Sequence, residues 1–600
     1  MSKRTTEAVE EASAKKLNTQ FTKEDTHSFF NPAIFDEQFR ADLKTSVLAS
    51  QPYKWGTIKS LLDDTLLRQV RKEVENEIVF TKKETDIYKV HQSGDLANLS
   101  GLDWDDLSRL PSLFKMRAAI YSEEFRDYLS ELTGCGKLSG VKTDMSINTY
   151  TKSCHLLTHD DVIGSRRVSF ILYLPDADKT WKEHYGGALR LFPSVIPNVP
   201  QTDYHCKLVP QFNQIAFFTV QPGLSFHDVE EVRVNKQRLS IQGWFHIPQE
   251  GEDGYIPGEQ EATEARSSLQ QLQSKELAEF DFPKPIRTGF PVDELRVYEL
   301  VSEVFPGLAK AEHEYLAEFM NPTLLDLSQI HQMHSVFSEE SVIEIPELLN
   351  PEFAGLLYEA IRTLEMEAKM PQTAAEIQYP WKCAVPPHKH RYMYLDGRQP
   401  EDVTTSAGTQ RAIVGPQDAP NFALTQYIAQ SAAPRDDAHV TVQLARVGAM
   451  FQSLAFRKWV AAVTGLAILS DQVLVRRFRP GHDFTLATKL PATDALLEAS
   501  LNLTPSKGWD SGELGGYELC MAGMDDEDED DPAIYKAAKV GEDGGDDGVL
   551  FTSQAKWNSL TLMLRDESVL KFVKYVSWSS QGSRWDLSCQ WGLKEEEEAD

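Results

Sequence analysis

The sequence predicts a mainly β protein with flanking helices, an α+β chain in which one β plan occurs twice. Three observations predict this fold class. The chain has 600 residues, several times the length of a typical domain. After about residue 140, short apolar runs alternate with Gly, Pro and Asp clusters, which favours an antiparallel sandwich or barrel. The second half then repeats the order of helices first and short strands after.

The predicted organisation follows shifts in composition along the chain. Apolar residues recur every three to four positions from 31 to about 132, as in Phe35, Phe39, Leu43 and Val47, and this spacing predicts helices. The strand candidates are 168–174, 188–192, 214–220 and 238–247. The predicted segments are a flexible tail at 1–25, a first domain at 26–249, a partly helical linker at 250–290, a second domain at 291–593 with an acidic insertion at 523–548, and an acidic tail at 594–600.

The composition restricts the class of protein. Lys and Arg number 61 against 91 Asp and Glu, which gives a formal net charge of −30. Such a chain repels phosphate backbones, so we expect no direct sequence-specific binding of nucleic acid, whereas a basic protein would be attracted. Apolar runs are too short to cross a membrane, the N-terminus has no secretion signal, and six scattered cysteines indicate neither a disulfide framework nor zinc. We therefore expect a soluble intracellular protein.

Matches between the two halves support an internal duplication. They keep the same order along the chain, with an offset that grows as insertions would make it. The matched pairs are 31–43 with 345–357, 147–159 with 475–487, 186–187 with 515–516, 224–227 with 570–573, and Arg238 with Arg584. In this alignment Ala487, Lys489 and Val573 stand opposite His159, Asp161 and His227, so the second copy should bind no metal.

The strongest chemical motif is His159-x-Asp161, the only H-x-D or H-x-E among fifteen histidines. Residues i and i+2 of an extended strand share a face, so both side chains can reach one ion. His227, which follows an apolar strand, is the candidate third ligand. Two imidazoles and one carboxylate form the facial triad of non-haem Fe(II) oxygenases, with positions left open for an oxo acid and dioxygen. The alternative is an ordinary polar strand end and a loop histidine.

Further residues favour the metal site over that alternative. Arg238 and Ser240 share a strand face, where a guanidinium and a hydroxyl could grip a buried carboxylate. Tyr173 could donate a hydrogen bond to the same carboxylate. Gly186 and Gly187 supply the small residues needed where backbone runs close to a ligand.

The order Y…HxD…LYL…GGxLRLFP…H…RxS over about 140–248 resembles the iron- and 2-oxoglutarate-dependent prolyl hydroxylases. The whole-chain plan is similar to the ribosomal prolyl 3-hydroxylases of fungi and animals, which are linked to translation termination. The resemblance implies two tandem double-stranded β-helix domains of the jelly-roll or cupin-like kind, the second degenerate. No family motif matches the acidic insertion or the acidic tail.

The resemblance also implies roles for individual residues. His159, Asp161 and His227 would bind Fe(II), Arg238 and Tyr173 would bind 2-oxoglutarate with Ser240 beside them, and Tyr150 would line the pocket. Dioxygen would be the second co-substrate, with ascorbate as a supporting reductant. The implied substrate is a basic small-subunit ribosomal protein, translation-termination factors are further candidate partners, and the expected location is cytoplasmic and nuclear.

Two other functions stay open at this point. One is a 2-oxoglutarate oxygenase for another substrate class, such as N-methyl groups. A nucleic-acid substrate would call for a cationic groove, which the charge of −30 disfavours. The other is a non-enzymatic binding protein of the translation machinery, which the complete triad disfavours for the first half.

Overall fold

The computed structural model describes residues 21–93, 109–266, 275–397, 423–430, 436–488, 490, 495–522 and 549–594. The chain divides into two compact units, Met1–Glu279 and Phe280–Asp600. The acidic insertion predicted at 523–548 lies outside the described residues, as do 1–20 of the predicted tail and 595–600 of the acidic tail. Among the described helices, none has both the length and the apolar character needed to span a membrane.

The first unit combines six α-helices with thirteen strands in its described part. The helices are α1 (Lys23–Ser28), α2 (Glu37–Ala49), α3 (Asp64–Glu77), α4 (Pro111–Ile120), α5 (Glu123–Thr133) and α6 (Glu259–Glu264). The strands are β1 (Trp55–Lys59), β2 (Phe80–Glu84), β3 (Tyr88–Ser93), β4 (Thr143–Tyr150), β5 (His155–His159), β6 (Arg166–Tyr173), β7 (Leu189–Leu191), β8 (Ser194–Ile196), β9 (Val199–Pro200), β10 (Cys206–Leu208), β11 (Gln214–Thr219), β12 (His227–Val229) and β13 (Arg238–His246).

The region from 31 to 132 is less helical than its spacing predicts, because β1, β2 and β3 lie within it. Strand β1 has only five residues, and just Gly56 and Ile58 of them are buried. Such a short alternating run is concealed between two longer helical patterns. The helix predicted around Phe35–Val47 exists as α2, capped by the Asp36 side chain, but Phe39 on its expected apolar face is 38% exposed.

Eleven strands of the first unit form one curled antiparallel sheet. Their order is β1-β11-β6-β13-β4-β3-β5-β12-β7-β10, with β2 paired to β3, while β8 and β9 form a separate hairpin. This order brings β5 beside β12, although four strands of the sheet, β6, β7, β10 and β11, separate them along the chain. The candidate ligands at the ends of these two strands therefore become neighbours.

Strand alternation sorts side chains between two faces of this sheet. Phe170 and Leu172 of β6 pack with the helices in the main core, whereas Ile171 and Tyr173 face the opposite side. The same alternation on β13 turns Arg238 away from the helices. The face opposite the main core is therefore where the predicted site residues collect.

The second unit also places helices before most of its strands. Its helices are α7 (Val292–Glu303), α8 (Lys310–Ala317), α9 (Leu327–Glu340), α10 (Pro351–Glu367), α11 (Leu424–Gln430), α12 (Asp436–Phe451) and α13 (Leu454–Thr464). Its strands are β14 (Thr288–Gly289), β15 (Val342–Pro346), β16 (Lys382–Cys383), β17 (His390–Arg391), β18 (Met393–Asp396), β19 (Ile468–Phe478), β20 (Phe484–Thr488), β21 (Leu496–Leu503), β22 (Glu518–Ala522), β23 (Val549–Ser553), β24 (Trp557–Arg565), β25 (Val569–Val573) and β26 (Arg584–Leu593).

The strands of the second unit form two antiparallel sheets. One has the order β15-β24-β21-β26-β19-β18-β16, with β14 paired to β19, and the other has the order β17-β20-β25-β22-β23. A large apolar core packs α7–α13 against the first of these sheets.

One of the matches between the halves is wrong. Residues 31–43 contain a 3₁₀ helix at Pro32–Phe35 and the start of α2, whereas 345–357 contain the end of β15 and the start of α10. The segment with the local structure of 31–43 is 321–331, where a 3₁₀ helix at Pro322–Leu325 leads into α9. Apolar spacing alone could not distinguish two consecutive helices of similar pattern.

Candidate functional site

His159, Asp161 and His227 converge on one point of the first unit. Their candidate ligand atoms all lie within 4.8 Å of one another, and no other such trio of His, Cys, Asp or Glu occurs among the described residues. His159 ends β5, His227 begins β12, and the two are direct partners in the antiparallel pairing. The structure thus brings together the three ligands predicted from the sequence.

Backbone carbonyls orient both imidazoles. Nδ1 of His159 donates to the Leu157 carbonyl at 2.8 Å, and Nδ1 of His227 donates to the Ser225 carbonyl at 2.8 Å. A carbonyl oxygen only accepts, so these contacts assign the proton of each neutral ring to Nδ1. The two Nε2 atoms, each 3.4 Å from a carboxylate oxygen of Asp161, then offer lone pairs to a cation.

The charges of the trio reinforce one another. Burial acts to raise the pKa of the Asp161 carboxyl, but His227 and His159 outweigh it and hold that pKa well below its usual value. Burial likewise acts to lower the pKa of His159, and the hydrogen bond and charge of Asp161 raise it overall. Asp161 is therefore ionised at neutral pH and supplies the negative charge that a cation site needs.

The turn after β5 is tied to the segment before β12. The Asp160 carboxylate accepts from the backbone N–H groups of Val162 and Gly223, each at 3.3 Å. The Ser225 hydroxyl donates to the Asp160 carbonyl at 2.9 Å. Asp161 itself has a φ of 61°, a left-handed conformation that Asp tolerates better than most residues. These contacts hold both ligand-bearing segments in one arrangement.

Arg238 and Ser240 lie on β13 as the sequence predicts. Arg238 is 1% exposed, and its Nε donates to the Gly187 carbonyl at 2.6 Å. Its Nη1 donates to the Ser240 hydroxyl at 3.2 Å, while its Nη2 is buried and finds no hydrogen-bond partner among the described residues. A fixed guanidinium with an unused donor is suited to receive a carboxylate.

Tyr150 and Tyr173 flank that guanidinium. The guanidinium carbon of Arg238 lies 4.8 Å from the ring centroid of Tyr150 and 4.9 Å from that of Tyr173. Burial raises the pKa of Tyr150 to about 12 and also raises the pKa of Tyr173, with Arg238 opposing both shifts. The Tyr173 hydroxyl is buried and has no hydrogen-bond partner in the described part of the chain. Both phenols are protonated donors at neutral pH.

The glycine pair packs against backbone and against Arg238. A Cβ on Gly186 would lie 1.9 Å from the Glu231 carbonyl oxygen, and a Cβ on Gly187 would lie 2.9 Å from Cδ of Arg238. Both glycines have φ of 73°, which disfavours other residues. The sequence predicts close approach of backbone to a ligand here, and the contacts that the structure describes are to the protein itself.

Two polar contacts to Asp161 are absent from the sequence-based site. The Ser169 hydroxyl and the Trp244 indole N–H both donate to its Oδ2. Ser169 lies four residues before Tyr173 on β6, and Trp244 lies six residues after Arg238 on β13. Both even spacings give the same face of a strand, and this was the available signal.

In the second unit the glycine pair makes matching contacts. The N–H of Gly187 donates to the Glu230 carbonyl at 3.1 Å, and the N–H of Gly516 donates to the Lys574 carbonyl at 2.9 Å. These contacts make Glu230 and Lys574 equivalent. The structure therefore matches these segments of the two units with an offset of 344 residues, whereas the alignment based on sequence uses 346.

This equivalence places Lys571, rather than Val573, opposite His227. Strand pairing agrees with this equivalence. His227 pairs with Leu191 and Lys571 pairs with Cys520, and each of these partners lies four residues after the second glycine of its own pair. The prediction for Val573 is wrong because two extra residues precede Arg584 in the second unit, in a loop where sequence matching has no anchor.

The first ligand position shifts as well. Lys571 pairs with Thr488 as His227 pairs with His159, so Thr488 rather than Ala487 stands opposite His159. Lys489, predicted opposite Asp161, lies outside the described residues.

Comparisons with known proteins agree with this geometry. A model described as the 2OG-Fe(II) oxygenase superfamily matches residues 145–246, which include all the predicted site residues. A second model, described as oxoglutarate and iron-dependent oxygenase degradation C-term, matches residues 311–600. The two matches fall in different units of the chain.

Two curated relatives extend over nearly the whole chain. Prolyl 3,4-dihydroxylase OGFOD1 of Ostreococcus tauri is 31% identical over 92% of this chain and 98% of its own. Prolyl 3-hydroxylase sudestada1 of Drosophila melanogaster is 24% identical over 96% of this chain and 90% of its own. A solved prolyl hydroxylase from Trichoplax adhaerens, in complex with a hypoxia inducible factor peptide, covers 41% of this chain and 97% of its own, with 14% identity and a TM-score of 0.29. On the extent of its identity with the Ostreococcus protein, the chain belongs to the iron- and 2-oxoglutarate-dependent prolyl 3-hydroxylase family.

Proposed function

We propose that this protein is an Fe(II)- and 2-oxoglutarate-dependent dioxygenase that hydroxylates a prolyl residue of a protein of the small ribosomal subunit. The observation that carries the proposal is the convergence of His159, Asp161 and His227 in a chain whose relatives are named prolyl 3,4-dihydroxylase and prolyl 3-hydroxylase. The reaction oxidises a C–H bond of proline, and the oxo acid is the co-substrate.

The three side chains fit Fe(II). Two imidazole nitrogens and one carboxylate oxygen are the donor set of the facial triad, and this set leaves three positions for other ligands. The low pKa of Asp161 provides a permanent negative charge, and the proton assignment at His159 and His227 turns both Nε2 lone pairs toward the ion. His227 is also backed by the Phe218 ring, whose centroid lies 4.5 Å from that of the imidazole.

Arg238 and Tyr173 fit the distal carboxylate of 2-oxoglutarate. Each carries a buried donor atom without a hydrogen-bond partner among the described residues, Nη2 and the phenolic hydroxyl respectively. Buried donors of this kind are rarely left unsatisfied, and an acid with two oxygens would satisfy both. The ring of Tyr150 covers one side of the Arg238 guanidinium. The carboxylate would therefore approach in the plane of the guanidinium, where the N–H groups point.

Bound Fe(II) and 2-oxoglutarate supply the oxidative chemistry that the amino acids themselves lack. The chain holds the ion through three side chains, orients the oxo acid through Arg238 with Ser240 and Tyr173, and keeps the site away from bulk water by burial. We include ascorbate in the proposal as a supporting reductant.

The net charge supports a basic protein substrate. A chain of charge −30 attracts ribosomal proteins and repels free nucleic acid. The ribosomal substrate, an association with translation-termination factors and a location in the cytoplasm and nucleus are parts of this proposal.

Mass spectrometry tests the substrate class. Purified small-subunit ribosomal proteins are incubated with the full-length protein, Fe(II), 2-oxoglutarate and air, and with the Asp161→Ala variant as the control. The expected result is one proline heavier by one oxygen atom in the first sample alone. Loss of N-methyl groups with no change at proline would favour the alternative substrate class, and no change in any sample would contradict the proposal.

We also propose that the second unit is a degenerate double-stranded β-helix that binds no iron. Lys571 and Thr488 take the positions of His227 and His159, so a fixed positive charge replaces one ligand and a weakly binding hydroxyl replaces another. Arg584, the counterpart of Arg238, forms an ion pair with Asp586, and its Nη2 lies 3.4 Å from the Glu518 carboxylate. Carboxylates of the unit itself thus neutralise the charge of Arg584, although its Nε and Nη2 also lack hydrogen-bond partners among the described residues.

Iron stoichiometry of the full-length protein tests this part. One tightly bound ion per chain is expected, and it should be lost completely in the His159→Ala variant. A second ion that survives His159→Ala would contradict the proposal for the second unit.

A further inference from the structure

The two oxygens of the Asp161 carboxylate have different surroundings. Oδ2 accepts a hydrogen bond from the Ser169 hydroxyl at 2.9 Å and another from the Trp244 indole Nε1 at 3.1 Å. Ser169 and Trp244 are direct partners across β6 and β13, so the register of this strand pair aims both donors at one oxygen. A carboxylate oxygen has two lone pairs, and these two bonds engage both of them.

Oδ1 receives neither of these bonds. Its polar neighbours include Nε2 of His159 at 3.4 Å and Nη1 of Arg166 at 3.8 Å, the latter beyond hydrogen-bond distance. Oδ2 also lies 3.4 Å from Nε2 of His227, so each carboxylate oxygen is near one imidazole. The difference between the two oxygens is that only Oδ2 has its lone pairs engaged by the hydroxyl of Ser169 and the indole of Trp244.

Arg166 holds the indole in place. Its guanidinium carbon lies 3.6 Å from the centroid of the Trp244 ring, a close stack between a cation and the best aromatic acceptor of one. The Nη2 of Arg166 also lies 3.7 Å from the Asp144 carboxylate. The indole is fixed from its face by Arg166, while its edge donates to Asp161.

We propose that Ser169 and Trp244 are positioning residues that hold Oδ2 of Asp161, so that Oδ1 alone binds the ion. This inference rests on the proposed Fe(II) site and deepens it. A carboxylate that bound through both oxygens would occupy one more position of a six-coordinate ion. Two open positions would then remain, enough for the bidentate oxo acid but not for dioxygen as well. The hydrogen bonds from Ser169 and Trp244 thus keep a third coordination position of the ion open for dioxygen.

Metal binding without turnover tests the inference on the full-length protein. The variants are Ser169→Ala, Trp244→Phe, which keeps a ring under Arg166 but removes the N–H, and the double variant. Free Mn(II) is measured by electron paramagnetic resonance during titration. Loss of an outer hydrogen bond typically costs 10- to 100-fold in metal affinity, so we expect the Kd to rise by about tenfold or more in each single variant.

Two matched controls separate positioning from general damage. Trp55→Phe removes another indole N–H of the same unit, one that donates to the Gln51 carbonyl at 2.8 Å, and it should leave the Kd unchanged. Ser169→Thr keeps the hydroxyl and should recover most of the affinity lost in Ser169→Ala. Equal effects of Ala and Thr at 169, or an unchanged Kd in the double variant, would overturn the inference.

A spectroscopic readout addresses the open position directly. Nitric oxide serves as the probe for the dioxygen position on the Fe(II)- and 2-oxoglutarate-loaded protein, and its paramagnetic signal is compared at equal metal loading. The double variant should bind nitric oxide more weakly than the parent protein, because the freed Oδ2 can compete for that position. Full nitric oxide binding would contradict the inference, whereas a parent protein that binds no metal would contradict the proposed function itself.

Discussion

His159 and His227 are direct partners across β5 and β12, and their ring centroids lie 4.2 Å apart. The register of one short antiparallel pair thus sets the distance between two candidate ligands. A slip of one residue would turn one of the rings to the opposite face of the sheet. The other edge of β12 is fixed by Arg190, whose guanidinium makes two hydrogen bonds to Asp228, at 2.8 and 2.6 Å.

Removing any one of the three ligands should abolish metal binding and turnover. A site of three protein ligands retains only two after His159→Ala, Asp161→Ala or His227→Ala, and two hold the ion weakly. Metal content after reconstitution and 2-oxoglutarate turnover are the measurements. His184→Ala, at an exposed histidine of the same unit, should leave both unchanged. Normal turnover in any of the three ligand variants would refute the assignment of that ligand.

Arg238→Lys should weaken 2-oxoglutarate binding while iron stays bound. The planar guanidinium of Arg238 contacts Gly187 and Ser240 and still has Nη2 available for the co-substrate. Lysine keeps the positive charge but lacks this planar group. Truncation of a buried charge partner costs about 2–5 kcal/mol, so Arg238→Ala should raise the KM for 2-oxoglutarate by roughly 30-fold or more. Arg40→Ala, which removes a half-exposed ion pair to Glu131, is the control. An unchanged KM in Arg238→Ala would move the oxo-acid site elsewhere.

Lys571→Met should destabilise the protein through the second unit. Nζ of Lys571 lies 2.8 Å from the Glu498 carboxylate and 3.7 Å from that of Glu518, and all three side chains are buried or nearly so. Burial acts to raise the pKa of Glu498, but Lys571 and Arg565 outweigh it and lower that pKa to about 2. Loss of one partner from a buried ion pair costs about 3–5 kcal/mol.

Urea denaturation measures that loss. Lys556→Met, which removes an ion pair to Glu344 that is about one-third exposed, should change the free energy of unfolding by about 1 kcal/mol or less. Equal destabilisation by the two variants would contradict the importance of the buried network.

His246 should make stability depend on pH between about 3 and 6.5. Burial is the main cause that lowers its pKa from 6.5 to about 3, and Lys142 and Arg166 add repulsion. Between pH 6.5 and about 3, His246 is protonated in the unfolded chain but stays neutral in the folded chain. Stability that is present at neutral pH is therefore lost as the pH falls. At pH 5 this loss is about 2 kcal/mol.

Comparison of His246→Gln with the parent protein checks this effect. The free energy of unfolding of the variant should fall less between pH 7 and pH 5. His184→Gln, at an exposed histidine, should keep the pH dependence of the parent protein. Identical pH dependence in parent and His246→Gln would show that folding does not lower the pKa of His246.

Part of the sheet around the site could be predicted because several of its strands have strong patterns, whereas β4, β5 and β12 are not among the predicted segments. Strands β11 and β13 lie within segments predicted from the sequence, and β6 overlaps its predicted segment at 168–174 but begins two residues earlier. Strands β1–β3 were missed because short half-buried runs beside long helices have little periodicity to detect. The division of residues 31–132 between helix and strand depends on pairing with distant parts of the sheet.

Arg238 and Ser240 could be predicted because spacing within one strand decides which side chains share a face. The H-x-D motif identified His159 and Asp161, but Asp161 lies past the end of β5 with a left-handed backbone and not in an extended strand. Ser169 and Trp244 were missed because their common target depends on the register between two strands, which no local pattern records. The same limit explains Lys571, since two residues inserted in a loop displaced an alignment that depended on Arg584.

The separation of the ligands along the chain also affects when iron enters the protein. His159 and Asp161 meet His227 only after β6, β7, β10 and β11 have been made and the sheet has curled. Long-range strand pairing is the slow part of β-sheet folding, so a newly synthesised chain carries an incomplete ligand set for most of that time. We therefore expect iron to load an almost finished domain, so that a shortage of iron would leave folded, inactive protein rather than misfolded chains.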